Sequence, residues 1–168
     1  MRLRAYVPSH DFEIIKNWIT DERTHAMWCA GHMVFPLERE DYHAALAKMF
    51  DLHGDCPFIA VDDGGKPVGM ICCSVNYETN ESMLAFVAVD PRQRGKGVGR
   101  EMVRLAAKYC FEMLKAERVQ LNVFDVNEPA RRCYGSAGFT VRSATENAFA
   151  YKDEKWGRVN MVLERSRL

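Results

Sequence analysis

The period of the apolar positions changes several times along the chain, and each change marks an element. Arg2-Leu3-Arg4-Ala5-Tyr6-Val7 alternates and predicts a first strand. Phe12, Ile15, Trp18 and Ile19 fall on one face of a helix from about Asp11 to Thr20, with Ser9 as its cap. An irregular stretch follows, holding His25, Met27, Trp28, His32 and Phe35. A second helix after Pro36 turns Leu37, Tyr42, Ala45, Leu46 and Met49 inward.

Phe58–Val61 and Val68–Val75 read as strands joined by the turn Asp62-Asp63-Gly64-Gly65-Lys66-Pro67. Asn76 to Ser82 is a polar connection. Met83–Val89 is apolar throughout, which predicts a central strand buried on both faces. Val98, Met102, Leu105, Ala106, Tyr109 and Met113 then follow the 3.6 period of an amphipathic helix. Val119–Phe124 is a strand. Asn127-Glu128-Pro129 opens a short helix that Gly138 closes in a left-handed cap. Phe139–Val141 and Val159–Leu163 are the last strands. The order β-α-α-β-β-β-α-β-α-β-β predicts one α/β domain over residues 1–168, built on a mixed sheet.

Composition narrows the setting. The chain has 168 residues and a formal net charge of zero, which argues against nucleic acid or an anionic membrane as the main partner. No run approaches the roughly 20 apolar residues of a membrane span. The N-terminal segment carries charge without an apolar core, so no signal peptide is expected. Six cysteines are present, two of them adjacent in an apolar strand, and no Cys or His spacing suits a metal. Reduced thiols, a cytoplasmic location and no metal are the expectations.

The chemistry concentrates at "VAVDPRQRGKGVGR", residues 87–100. Glycines at 95, 97 and 99 lead straight into a helix, whose free first-turn amides suit an anion. Arg92, Arg94, Lys96 and Arg100 add positive charge. No Lys-Ser/Thr follows, which excludes a P-loop, and the third glycine comes one place early for a dinucleotide fingerprint. A tight strand-to-helix turn with solvated charges would use the same residues.

A second segment, "LNVFDVNEPARRCYGSAGF" at residues 121–139, decides between these readings. Arg94-x-x-Gly97-x-Gly99 together with the Asn127, Ala130, Tyr134 and Gly138-Phe139 pattern resembles the GCN5-related N-acetyltransferase (GNAT) superfamily over nearly the whole chain. The opening segment, residues 3–28, loosely resembles the branch that acetylates protein α-amino groups, including ribosomal ones.

The resemblance implies a mostly antiparallel mixed sheet with splayed central strands, flanked by helices. It implies acetyl-CoA as cosubstrate, with its pyrophosphate on Arg94, Gly95, Lys96, Gly97, Val98, Gly99 and Arg100. The pantetheine arm would pair with the backbone of Val87, Ala88 and Val89, and Asn127 would hydrogen-bond the coenzyme. Tyr134 would be the general acid, since a phenol of pKa near 10 can protonate a thiolate of pKa about 8.5. A core tyrosine is the plainer reading of the same position.

Where many relatives carry a Glu base, this chain places Met83 and Asn122, so a water-relayed proton path is expected. The implied function is transfer of an acetyl group to a primary amine, an α-amino group being favoured. A noncatalytic acyl-CoA-binding module is the alternative. Trp28, Phe35, Phe149, Tyr151 and Trp156 are the aromatics expected to form an acceptor cleft. Relatives are often dimers, and the resemblance allows a homodimer.

Overall fold

The computed structural model describes residues 1–168. Its elements are β1 Arg2–Ala5, α1 Pro8–Lys16, α2 Glu22–Cys29, α3 Arg39–His53, β2 Cys56–Val61, β3 Pro67–Asn76, β4 Glu81–Val89, α4 Val98–Glu112, β5 Arg118–Phe124, α5 Glu128–Ser136, β6 Thr140–Tyr151 and β7 Glu154–Glu164. Seven strands form one mixed sheet in the order β1-β2-β3-β4-β5-β7-β6. Every pairing is antiparallel except β4–β5.

Helices cover both faces. The inward stripe of α4 (Met102, Val103, Ala106, Ala107 and Cys110) is fully buried in a cluster that includes Ile71, Cys73, Leu121 and Tyr134. On the other face, α1 and α3 bury Phe12, Ile15, Tyr42 and Met49 against Met70, Cys72 and Phe86. Fully burying a side chain of this size contributes about 1.5–3 kcal/mol, so these two stripes fix which face each helix takes.

The strand buried on both faces is therefore β3, whose residues Val68–Ser74 are all buried. Strand β4 departs from the expectation. Leu84, Phe86 and Ala88 are buried, but Met83, Ala85, Val87 and Val89 are only half-buried. Their face lines open cavities, so an apolar run here marks a binding surface. A bulge adds to the departure. Met70 pairs with Ala88 and Cys72 with Ala85, so β4 has one residue too many, and Phe86 takes φ +50°. A positive φ at a bulky residue is strained and tends to sit beside functional sites.

Helix α1 starts at Pro8, and Val7, not Ser9, occupies its cap position. The proline suits the first helical position, where no N–H is required. No side chain caps the first-turn amides of α1; fully buried Asp11 instead reaches back to the residue before the helix. Its carboxylate accepts the Val7 N–H at 2.7 Å, both Arg4 guanidinium nitrogens at 2.7 Å and His10 Nδ1 at 2.9 Å. Burial alone would raise this carboxyl, but the Arg4, His10 and Val7 hydrogen bonds outweigh it and hold the pKa down to about 2.

Two elements exceed their sequence signals. The stretch expected to be irregular contains α2, capped by Asp21, whose side chain accepts the Thr24 N–H at 2.8 Å. Strand β6 extends far beyond Val141, because Arg142–Asn147 is an exposed edge without an apolar pattern. Its pairing with β7 runs from Thr140↔Val162 to Tyr151↔Glu154. No helix is long and apolar enough to cross a membrane.

Candidate active site

Strands β4 and β5 pair only from Glu81↔Arg118 to Leu84↔Leu121. Beyond that point they diverge, which leaves the β5-facing backbone of Ala85–Val89 without a strand partner. A buried strand edge must find its hydrogen bonds elsewhere. A cavity of about 920 Å³ occupies the opening, lined by Val87, Ala88 and Val89 on one side and by Asn127, Ala130 and Tyr134 on the other.

The glycine loop forms one end of this cavity. Asp90 opens it by accepting the Arg92 N–H at 3.0 Å and pairing with the Arg92 guanidinium at 3.0 Å. That pairing holds the Asp90 carboxyl below its usual range and commits Arg92 to the turn, so Arg92 is not one of the free cations. Arg94 donates through Nε to the Val89 carbonyl at 3.3 Å, which fixes where β4 ends.

Gly95 and Gly97 take φ +76° and +83°, left-handed values that any side chain would strain. A Cβ at either would meet no protein atom within 4 Å. Their freedom therefore serves the turn and the space in front of it. The first intrahelical bond of α4 is Glu101 N–H to Gly97 O at 3.0 Å, so the amides of Val98, Gly99 and Arg100 precede it. Arg94, Gly95, Lys96, Gly97, Gly99 and Arg100 all line the cavity. Gly99 also has a second task. A Cβ there would stand 3.2 Å from Cys133 Sγ and 3.5 Å from Val89 Cγ2, so α4 and α5 meet at this residue.

Helix α5 carries the other wall. Asn127 caps it, accepting the Ala130 N–H at 3.3 Å and leaving its own NH2 group without a protein partner. The helix ends in a two-bond cap: Gly138 N–H reaches Gly135 O at 3.0 Å, and Phe139 N–H reaches Tyr134 O at 3.1 Å. Gly138 at φ +105° permits this turn, as its sequence position suggests.

The cap holds the Tyr134 backbone, while Phe139 packs on its ring at 6.4 Å. Tyr134 is buried and its hydroxyl donates to no protein acceptor, yet it lines the cavity. Burial, followed by the neighbouring Cys133 thiol, pushes the phenol well above its ordinary pKa, so it keeps its proton. Of the two arginines on α5, Arg132 lines the cavity while pairing with Glu128 at 2.9 Å.

A second cavity of about 930 Å³ lies on the α2–α3 side of the split. The two share Met27, Trp28, Leu84, Ala85, Phe86, Asn122 and Val123, so they meet at the parting of β4 and β5. Met83 and Asn122 both line it, and neither can act as a base. Glu81 lines it too, but it accepts from Arg118 at 2.8 Å, Gln120 at 3.0 Å and Arg142 at 3.0 Å. Burial pulls this carboxyl up, and the two guanidiniums more than reverse it, leaving a weak base. Asn122 accepts from Asn160 at 3.0 Å. Glu78 stands exposed at the rim, and Asp125 accepts the Val126 N–H at 2.8 Å without lining either cavity.

The expected aromatic cleft divides. Trp28 lines both cavities, stacked near Tyr42 with planes 12° apart. Phe149, Tyr151 and Trp156 instead pack with Phe124 in a separate cluster. Arg23, paired with Glu154 and lying 5.0 Å over the Trp156 ring, ties α2 to that cluster. Phe149, Tyr151 and Trp156 thus support the helix that carries Trp28 and line neither cavity, whereas Phe124 reaches the second one. Phe35 lies beside buried His25, 5.4 Å between rings. The polar network from Glu81 through Gln120 and Asn160 to Asn122 has no signal in the sequence, because it joins three strands with no local motif.

The acetyltransferase (GNAT) family model matches residues 12–139. Among curated proteins, the chain is 32% identical over 82 residues to an uncharacterized SPbeta prophage-derived N-acetyltransferase, YokL, of Bacillus subtilis; the match covers 49% of this chain and 46% of that protein. It is 34% identical over 82 residues to a streptothricin acetyltransferase of Streptomyces lavendulae, covering 49% and 43%. An L-amino acid N-acetyltransferase of Escherichia coli is 29% identical over 101 residues, covering 59% and 62%. The matches thus span about half the length of these curated relatives.

In fold, the chain is similar to a spermidine N-acetyltransferase of Vibrio cholerae solved with CoA and spermine, with TM-score 0.82 and 19% identity over 99% of this chain and 96% of that one. With the family model covering three quarters of its length, and with split strands, glycine loop and Tyr134 helix in place, the chain belongs to the acetyltransferase (GNAT) family.

Proposed function

We propose that this chain transfers an acetyl group from acetyl-CoA to a primary amine. The observation that carries the reading is the parting of β4 and β5 beyond Leu84 and Leu121, with Tyr134 and the glycine loop on its walls. The backbone of Val87, Ala88 and Val89 offers strand-like hydrogen bonds to the amide-bearing pantetheine arm, a form of strand addition. The amides at 98–100, with Arg94, Lys96 and Arg100, suit the pyrophosphate. The free NH2 of Asn127 is a further donor to the coenzyme.

The acetyl thioester supplies the electrophile. The amine nitrogen bonds to the carbonyl carbon as the carbon–sulfur bond breaks. Tyr134 protonates the departing thiolate, and the proton shed by the amine passes to solvent, from which the phenol recovers its own. No free carboxylate stands at the split, so the acceptor must arrive neutral largely through its own pKa. An α-amino group of pKa about 8 is neutral in roughly a tenth of molecules at pH 7, against under about a thousandth for a lysine side chain. An α-amino acceptor, on a peptide or a small molecule, is therefore favoured. Relatives named for L-amino acids and for streptothricin fit an amine acceptor.

The same lack of a base is what favours the second reading, a noncatalytic acyl-CoA-binding module. Release of free thiol from acetyl-CoA in the presence of a broad amine panel separates the two. Turnover with any amine supports the transferase, and tight coenzyme binding without turnover supports the module.

A further inference from the structure

Two side chains at the parting of β4 and β5 carry N–H groups that nothing in the protein accepts. Of the residues that border both cavities, only Trp28 and Asn122 have a side-chain nitrogen or oxygen. They come from opposite walls: Trp28 from α2, its ring 5.8 Å from that of Phe86 on β4, and Asn122 from β5. Trp28 Nε1 is buried and has no hydrogen-bond partner. A buried donor left unpaired is costly, and natural structures usually supply its acceptor. Packing alone holds the ring, stacked near Tyr42 and edge-on to Phe86.

The amide of Asn122 is oriented by groups that have only one role. Arg142 Nε can only donate, and it bonds to Asn160 Oδ1 at 2.7 Å. That turns the Asn160 NH2 group the other way, where the Leu121 carbonyl accepts from it at 3.3 Å and Asn122 Oδ1 at 3.0 Å. Asn122 therefore keeps its oxygen on Asn160 and turns its NH2 away, donating to no protein group. The side chain is exposed where it borders both cavities. Its sheet partners thus set it to offer a donor at the split.

A group placed between these donors must accept. A protonated amine has no lone pair to offer, and a neutral amine needs its lone pair for the attack. The thioester carbonyl oxygen has lone pairs free and gains charge during the reaction. We propose that the Asn122 amide and the Trp28 indole donate to that oxygen, and that both are catalytic residues. This rests on the transferase reading of the split. As the amine nitrogen bonds to the carbonyl carbon, the carbon–oxygen π electrons move onto oxygen, facing the two N–H groups. They return as the carbon–sulfur bond breaks, and its electron pair leaves on sulfur, where the Tyr134 proton meets it. Neutral donors already fixed in place suit such a charge, because they need no rearrangement when it forms.

The test compares the native protein with Asn122→Asp and Trp28→Phe. Asn122→Asp keeps the oxygen that Asn160 bonds and exchanges only the NH2 group for an oxygen. Trp28→Phe keeps an aromatic ring and removes the N–H. Each should lower kcat about 100- to 1,000-fold, the usual loss for one such donor, while acetyl-CoA affinity holds. Infrared difference spectra of bound acetyl-CoA, labelled with carbon-13 at the thioester carbonyl, read the contact directly. The carbonyl stretch should lie at lower frequency in the native complex than in either variant. An unchanged stretch in the variants would overturn the proposal. So would an Asn122→Asp protein as fast as the native one or faster, since an added carboxylate helps only if this position takes the amine's proton. The spectra need no turnover. A native complex with the lowered stretch that releases no thiol with any amine would therefore sink the transferase reading and leave the two donors in place.

Discussion

Gly99 and Cys133 sit so close that a single methyl group on the glycine would stand 3.2 Å from the sulfur. This contact joins the start of α4 to the middle of α5, and it separates two glycines that look equivalent in sequence. Gly97 faces open space, whereas Gly99 faces protein. Gly99→Val should overpack the contact and lower stability by about 1–3 kcal/mol. Gly97→Ala should cost only about 1–2 kcal/mol, from its φ, yet weaken acetyl-CoA binding more than Gly99→Ala does. Denaturant unfolding and calorimetry on the three variants check this, and unchanged coenzyme affinity in Gly97→Ala would remove the pyrophosphate assignment.

Tyr134→Phe keeps the ring against Phe139 and deletes the proton. Turnover should fall about 100- to 10,000-fold, while acetyl-CoA affinity and melting temperature hold. Near-native kcat would make Tyr134 a packing residue and leave thiolate protonation to water.

Asp11 sets an acid limit on stability. Its folded pKa, about 2, lies below the unfolded value of 3.8, so its contribution is complete above about pH 4 and is lost as pH falls toward 2. The shift corresponds to about 2 kcal/mol. The stability gap between native protein and Asp11→Asn should therefore be widest near pH 6 and shrink by about 2 kcal/mol at pH 2. A gap independent of pH would show that the buried hydrogen bonds matter but the charge does not.

Acceptor choice follows from the tied-up Glu81. Short peptides with a free N-terminus should give higher kcat/KM than the same peptides blocked and carrying one lysine. The reverse order, or activity confined to aminoglycosides, would overturn the preference for an α-amino group while leaving the transferase reading intact.

Much of this architecture could be read from periodicity, because helices such as α4 place one apolar stripe on one sheet face. The glycine loop and the helix of Tyr134 were legible because their constraints are local: a left-handed turn, a cap, a missing N–H. Strand β6 was not legible beyond Val141, since an exposed edge strand held by its ladder with β7 needs no apolar residues. Helix α2 hid because two turns carry too few inward positions to set a period. The wall of the second cavity was legible only at Met83 and Asn122; Ser74, Glu81 and Gln120 join them through sheet register, which no local motif records.

A sheet usually divides a protein into two compartments. Here the parting after Leu84 and Leu121 makes it a partition with a doorway. On the transferase reading, coenzyme and amine would enter from different sides and stand on either side of the threshold at once, with Trp28 and Asn122 forming part of the jamb. Neither would have to leave before the other arrived, and no side chain would have to carry the acetyl group between them. Initial-rate lines at several amine concentrations should therefore intersect, as for two substrates bound together, and parallel lines would mean that the doorway is not where they meet.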